Sequence, residues 1–272
     1  LPIESKPLTA YYCCMNAAKA LLAIKGPSTI DFDGKFSHGI SSNRKQWGKS
    51  TNLKNAEVIF NGSGVLFELS KYFTEEACKK SYTIYDLLYN IPCIHRAFST
   101  TYQCAELFVP IRDVKFTVDI GIRKGWVQFQ VDKRYANGNS DDNRYIMRSK
   151  QRFKWDIHEK KMQERMEILG DYHRKLRKDI LYVSGDEKLW YIKKEIPNNK
   201  SIIQRNLITL IFAVMHWLSE LVRYNPEKFD KLMDTKQNWI VHEFIETALY
   251  QYVDEISCEI TGTDIMTPGY RK

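Results

Sequence analysis

The chain has 272 residues, of which 43% are hydrophobic and 13% aromatic, and it carries a net charge of +8. This length and apolar content suffice for a packed core, so intrinsic disorder is excluded as the expected state. The positive charge favours an acidic partner, and nucleic acid is the commonest such partner. The six cysteines form no Cys-x-x-Cys pair and have no histidine at zinc spacing, which predicts free thiols in a reducing cytosol and no metal centre.

Membrane insertion and the common cofactors are not expected. The longest apolar stretch, Leu207 to Val222, contains polar residues and is shorter than the roughly 20 residues that a membrane crossing requires. The N-terminus carries no secretory signal pattern, which favours a cytoplasmic location. Phosphate loops, dinucleotide glycine fingerprints and nucleophile elbows are absent from the sequence, so no cofactor is predicted.

The N-terminal third of the chain has helical patterning. Apolar residues recur at helical spacing from Leu8 to Ile24, and Gly26 with Pro27 predicts the end of that helix. A turn or short strand at Gly62 and Gly64 precedes a second helical pattern. A further helix is predicted from Tyr85 towards Tyr102.

The middle of the chain changes to the alternating pattern of strands. The segments 109–122 and 126–131 predict one hairpin, and 180–183 with 189–192 predict a second. Together they predict a small antiparallel sheet. The stretch between them, from Met147 to Lys178, is highly charged and is interpreted as a helical insert.

Two long helices are predicted to close the chain, at Ile202–Tyr224 and at Trp239–Ile260. The predicted fold is therefore α+β: mainly a helical bundle built from both chain ends, with a small central antiparallel sheet. Its expected parts are 1–108, 109–197 and 198–272, with the last packing on the first in one integrated domain.

Four segments together resemble the YaaC-like protein family, in the family's order and across Pro7 to Phe229. In the last of them the family has a tryptophan where this chain has Phe229. The segments are Lys6-Pro7-Leu8 leading into Tyr11-Tyr12 and His38-Gly39; Gly64 before Phe67-Glu68-Leu69; Tyr85-Asp86-Leu87-Leu88 with Ile91-Pro92; and Arg223-Tyr224 followed by Pro226. The family has no settled biochemical activity, so the resemblance implies a fold and not a reaction.

The first segment is also similar to the helical HEPN families, in which a tyrosine- and alanine-rich helix is followed by a histidine-glycine pair. Many HEPN domains are ribonucleases that use an arginine followed after four to six residues by a histidine. Arg152 and His158 meet this spacing. Roughly one such pair is expected by chance, however, and the alternative is a solvated basic helix.

His38 allows a functional and a structural interpretation, whereas the Arg223 segment is interpreted as structural. A histidine near neutrality suits acid–base work or a phosphate contact. Alternatively, His38 caps a backbone carbonyl beside Gly39, which permits positive φ. Arg223 is interpreted as a cation at a helix C-terminus, with Tyr224 packing and Pro226 preventing continuation of the helix.

The charged insert contains the predicted nucleic-acid contacts. Cations neutralise phosphates, and aromatic faces stack on unpaired bases. The predicted contact residues are Arg144, Arg148, Lys150, Arg152, Lys154 and Trp155. Acidic residues alternate with them, so a salt-bridged solvated surface is the alternative.

These observations favour a non-catalytic intracellular component of a multiprotein assembly that binds nucleic acid or an effector subunit. The HEPN-like resemblance implies phage defence as the setting. Two alternatives stay open: a metal-independent ribonuclease using Arg152 and His158, or His38, and a protein scaffold without nucleic-acid contact.

Overall fold

The computed structural model describes residues 2–27, 37–43, 52–135, 144–149, 153–154, 162–185 and 187–263. The chain divides into two compact units. The helical unit is Leu1–Glu106 with Ile196–Lys272, and the sheet unit is Leu107–Glu195. The helices and the two antiparallel sheets confirm the predicted α+β class.

The elements are numbered in chain order. The helices are α1 Lys6–Lys25, α2 Val65–Tyr72, α3 Ile84–Tyr89, α4 His95–Tyr102, α5 Met162–Leu176, α6 Leu207–Tyr224, α7 Pro226–Met233 and α8 Asn238–Thr261. The strands are β1 Ile40–Ser42, β2 Glu57–Phe60, β3 Lys80–Thr83, β4 Phe108–Asp119, β5 Lys124–Asp132, β6 Arg144–Arg148, β7 Phe153–Lys154, β8 Ile180–Val183 and β9 Leu189–Lys193.

The long predicted helices are present, with one shifted boundary. Helix α1 ends where the backbone N–H of Gly26 donates to Leu22, as the glycine predicted. Helix α6 begins five residues later than predicted, because the Asn206 side chain caps it by accepting a hydrogen bond from the N–H of Ile208 at 2.9 Å. The helical spacing identified the element, and the cap residue set its start.

Helix α6 is the central helix of the helical unit. Among the described residues it is the one helix long and apolar enough to cross a membrane, and 78% of it is buried inside the protein, as in a core helix. The ring of Phe212 lies 5.6 Å from that of Tyr11 on α1. The hydroxyl of Tyr252 on α8 donates to the carbonyl of Cys14 at 3.1 Å. Contacts within one unit thus join segments from both ends of the sequence.

A buried ion pair fixes the chain just before α6. Nη1 of Arg205 lies 2.8 Å from Oε2 of Glu75, and both side chains are almost completely buried. Oε1 of Glu75 accepts hydrogen bonds from the N–H of Asn206 and the hydroxyl of Thr209. Arg205 also donates to the carbonyl of Glu76 at 2.7 Å. Each charge is therefore compensated by several hydrogen bonds, as burial requires.

The sequence did not predict the three-stranded sheet β1-β2-β3 of the helical unit. The loop before β1 meets the start of α2, where the N–H of Leu66 donates to the carbonyl of His38. Gly39 has φ +77°, and a Cβ there would lie 2.8 Å from the N of Leu66. The predicted positive φ at Gly39 is confirmed, and the close backbone approach excludes a larger residue.

The sheet unit joins both predicted hairpins in one antiparallel sheet of order β6-β5-β4-β9-β8, with β7 also pairing β5. The hairpins meet because β4 pairs with β9 from Phe108 to Ile111. Val127, Phe129 and Val131 of β5 are buried in one cluster with Tyr172 and Leu176 of α5. Helix α5 therefore covers one face of this sheet.

Candidate functional site

The register of the sheet separates its two faces. Side chains alternate along a strand, so the residues of 126–130 that alternate with the buried Val127, Phe129 and Val131 project from the opposite face of β5. These are Trp126 and the two glutamines Gln128 and Gln130. Residues paired directly with them on neighbouring strands share that outer face.

Register places five cations on the outer face among the residues whose side chains the structure describes. Arg112 pairs with Gln130, Lys115 and Arg148 pair with Gln128, and Lys154 pairs with Lys124. We call this surface the basic face and define it by Arg112, Lys115, Lys124, Arg148 and Lys154. Asp119, opposite Lys124, and Asp132 at the end of β5 contribute the acidic groups.

A β-bulge makes this arrangement possible. Arg112 and Lys115 are three residues apart, so strict alternation would direct them to opposite faces. The register shifts between them, and Asp113 has φ +50°. Because of the bulge both residues stand opposite outer-face glutamines. Strict alternation along the sequence of β4 therefore could not have predicted that Arg112 and Lys115 share a face.

Arg148 also makes a cation–π contact. Its guanidinium carbon lies 4.6 Å from the centroid of the Trp126 ring. Arg148 itself is exposed, whereas Trp126 is only 7% exposed. The indole thus supports the cation from below and holds a planar charged group at the protein surface.

The charge of the chain is concentrated in the same unit. The sheet unit, Leu107–Glu195, contains 21 Lys and Arg residues against 14 Asp and Glu, a net charge of +7. The whole chain has a net charge of +8, which leaves +1 for the helical unit. The excess positive charge is therefore a property of the sheet unit.

The predicted nucleic-acid residues divide into two groups. Arg148 and Lys154 are exposed and belong to the basic face, and Arg144 pairs through its backbone with Asp132 at the start of β6. Lys150, Arg152, Trp155 and His158 lie outside the described residues. Within the described part of the stretch 147–178, β6 ends at Arg148, β7 spans Phe153–Lys154 and α5 spans Met162–Leu176, so the stretch is not helical throughout as interpreted.

His38 lies in a side-chain cluster of the helical unit that the sequence did not predict. Its Nδ1 is hydrogen-bonded to the hydroxyl of Tyr11, not to a backbone carbonyl as expected. The ring of His216 lies 5.1 Å from that of Tyr11 and 5.7 Å from that of His38. Nε2 of His216 is 3.4 Å from Oε2 of Glu220, one helical turn away. Three distant segments thus bring four titratable groups together.

The surroundings of this cluster favour the neutral forms of two of its groups, Tyr11 and His38. Burial raises the pKa of Tyr11, and the negative charge of Glu220 raises it further. Burial and the neighbouring His216 lower the pKa of His38. His216 is 5% exposed, and neither ring nitrogen makes a hydrogen bond among the described residues, although Nε2 lies near the Glu220 carboxylate.

Only His38 in this cluster is exposed enough to meet a ligand directly. A neutral imidazole can donate or accept one hydrogen bond at its solvent-facing nitrogen, so either acid–base work or a phosphate contact is chemically possible there. Within the described part of the chain, no three His, Cys, Asp or Glu side chains are placed to hold a metal ion.

The Arg223 segment differs in one respect from its prediction. Helix α6 ends at Tyr224 and α7 begins at Pro226, so the proline does mark the boundary. Tyr224, however, is more than half exposed and does not pack into the core. The guanidinium of Arg223 lies over its ring at 5.2 Å. The two side chains cover one another at the surface.

Comparison with known proteins agrees with the four sequence segments. The family model described as YaaC-like protein matches residues 1–260, nearly the whole chain. Searches of curated proteins and of solved structures gave no significant match. The chain therefore belongs to the YaaC-like protein family.

Proposed function

We propose that this protein is a non-catalytic nucleic-acid-binding component of a multiprotein assembly, and that the basic face is its contact surface. The observation that carries the proposal is the charge distribution: a net charge of +7 in the sheet unit, with five cations directed to one face. In the same proposal the helical unit, as a bundle built from both chain ends, contacts a protein partner. Intracellular phage defence is the setting that we propose from the HEPN-like resemblance.

Electrostatics supports the basic face as a contact for a polyanion. Each phosphate that a cation neutralises releases condensed counterions, and this gain is independent of base sequence. Neighbouring strands lie roughly 4.8 Å apart, so cations on β4, β5, β6 and β7 form an array wide enough to meet several phosphates. Arg148 is held in place by Trp126 before any ligand arrives.

Reversal of three charges on the basic face is expected to weaken binding to every nucleic acid alike. In the variant Arg112→Glu, Lys115→Glu, Lys154→Glu, the slope of log affinity against log salt should fall by about 2 to 3, because three phosphate contacts are lost. Fluorescence anisotropy with labelled single-stranded and duplex oligonucleotides measures both the affinity and this slope.

The control reverses three exposed lysines of the helical unit, Lys25, Lys200 and Lys231. It changes the net charge equally, and we expect its salt slope to match that of the natural chain. Equal losses in both variants would mean that overall charge, and not the basic face, causes binding. Absence of binding at low salt would favour the scaffold alternative. RNA cleavage in EDTA that requires Arg152 and His158 would favour the ribonuclease.

A further inference from the structure

The tip of the β4–β5 hairpin lines an open cleft at the edge of the basic face. Its volume is about 630 Å³, and it is lined by Ile120 and Ile122 on the turn and by Trp126 and Arg148 on the sheet. This volume exceeds that of a single planar ring system. The cleft therefore has room for a small aromatic group next to an array of cations.

One wall of the cleft is apolar and open to water. Ile120 and Ile122 lie in the turn between β4 and β5, where they are 81% and 57% exposed. Turn positions usually carry polar residues or glycine, and neighbouring exposed isoleucines leave apolar surface in water. Such surface gains free energy when a planar apolar group covers it.

The cleft is also lined by a supported cation. Arg148 rests on the indole of Trp126 and is itself exposed to the cleft. Guanidinium groups stack on unpaired nucleobases as well as on aromatic side chains. A base entering the cleft would thus contact Arg148 and the isoleucines, and Lys124, which lines the same cleft, would be available to its phosphate.

Asp119 supplies a hydrogen-bond acceptor inside the cleft. One carboxylate oxygen, Oδ1, accepts a hydrogen bond from the N–H of Ile122 at 3.2 Å and so holds the turn. A carboxylate has about four acceptor positions, so this bond leaves capacity for a ligand. Carboxylates recognise the exocyclic amino groups of bases such as cytosine.

We propose that the ligand of the basic face is single-stranded nucleic acid, with one unpaired base seated in this cleft. This inference rests on the proposed function and specifies its ligand. The positive surroundings select a polyanion over a neutral peptide, and the cleft beside them, which has room for a planar base, selects an unpaired base over a duplex. Asp119 favours bases with an exocyclic amino group over uracil or thymine.

Two variants test the cleft while leaving the five cations intact. The first, Ile120→Ser with Ile122→Ser, should lower affinity for an oligocytidylate roughly 5- to 30-fold, because the apolar surface that an unpaired base would cover is lost. It should leave duplex affinity unchanged, because paired bases are not available to enter the cleft. The retained duplex binding shows that the variant is folded. The control, Ile24→Ser with Leu189→Ser, removes two exposed apolar residues elsewhere and should change neither affinity.

The second variant, Asp119→Asn, keeps an acceptor for the turn but adds an N–H donor. We expect the ratio of oligocytidylate to oligouridylate affinity to fall, because the amide can donate to the carbonyls of uracil. An unchanged ratio, or equal losses on single strands and duplex in the isoleucine variant, would overturn the base-binding cleft alone. Failure of the natural chain to bind any nucleic acid would instead overturn the proposed function.

Discussion

Replacement of Arg205 by methionine is expected to lower the free energy of unfolding by about 3–5 kcal/mol. The substitution leaves the carboxylate of Glu75 buried without its cation, and the cost of an unpaired buried charge greatly exceeds that of an exposed one. The hydrogen bonds to Glu76 and Tyr82 would be lost as well. Urea denaturation followed by circular dichroism measures the change.

Two comparisons separate this effect from a general loss of an arginine. Arg223→Met removes an exposed cation from α6 and should change the free energy of unfolding by less than about 0.5 kcal/mol. Adding Glu75→Gln to Arg205→Met should restore part of the stability, because the unpaired charge is then absent. A loss below about 1 kcal/mol for Arg205→Met would mean that the pair is solvated like a surface ion pair.

Truncation of α6 in the core should have a comparable effect. Leu210→Ala or Leu218→Ala is expected to cost about 2–5 kcal/mol, since both side chains are buried and each truncation leaves a cavity. Thermal and urea unfolding report the loss. Ile24→Ala, at an exposed position of α1, serves as the control and should cost less than about 0.5 kcal/mol. Similar values for all three would contradict a buried α6.

Elements with strong periodicity could be predicted from the sequence. The spacing of apolar residues predicted α1, α6 and α8, and alternation predicted the hairpins β4–β5 and β8–β9. The strands β1 and β3 could not be predicted, because they have three and four residues and are too short to display a period. Their pairing depends on β2 and on the start of α2, which are contacts between distant segments.

The basic face was predicted only in part, for a reason of geometry. Arg148 and Lys154 belong to the charged tract that the sequence singled out. Arg112 and Lys115 became members of the same surface only through the bulge in β4, and Lys124 only through its pairing with Lys154. Composition identifies cations, but strand register decides which of them share a face.

The cluster of Tyr11, His38, His216 and Glu220 could not be predicted from the sequence for a different reason. Tyr11 and His38 are 27 positions apart, and Ser42, which donates its N–H to Glu220, is 178 positions from it. No spacing rule applies at such separations. His216 and Glu220 do stand one helical turn apart, and that spacing was the single local signal of a pair.

The salt dependence of nucleic-acid binding by the unmodified chain tests the central claim most directly. If the five cations of the basic face each neutralise one phosphate, log affinity should fall with log salt with a slope of about 3.5 to 4.5. Anisotropy titrations of a labelled oligonucleotide across a range of salt concentrations give this slope. An affinity independent of salt, or no binding at the lowest salt, would contradict the basic face as a nucleic-acid contact.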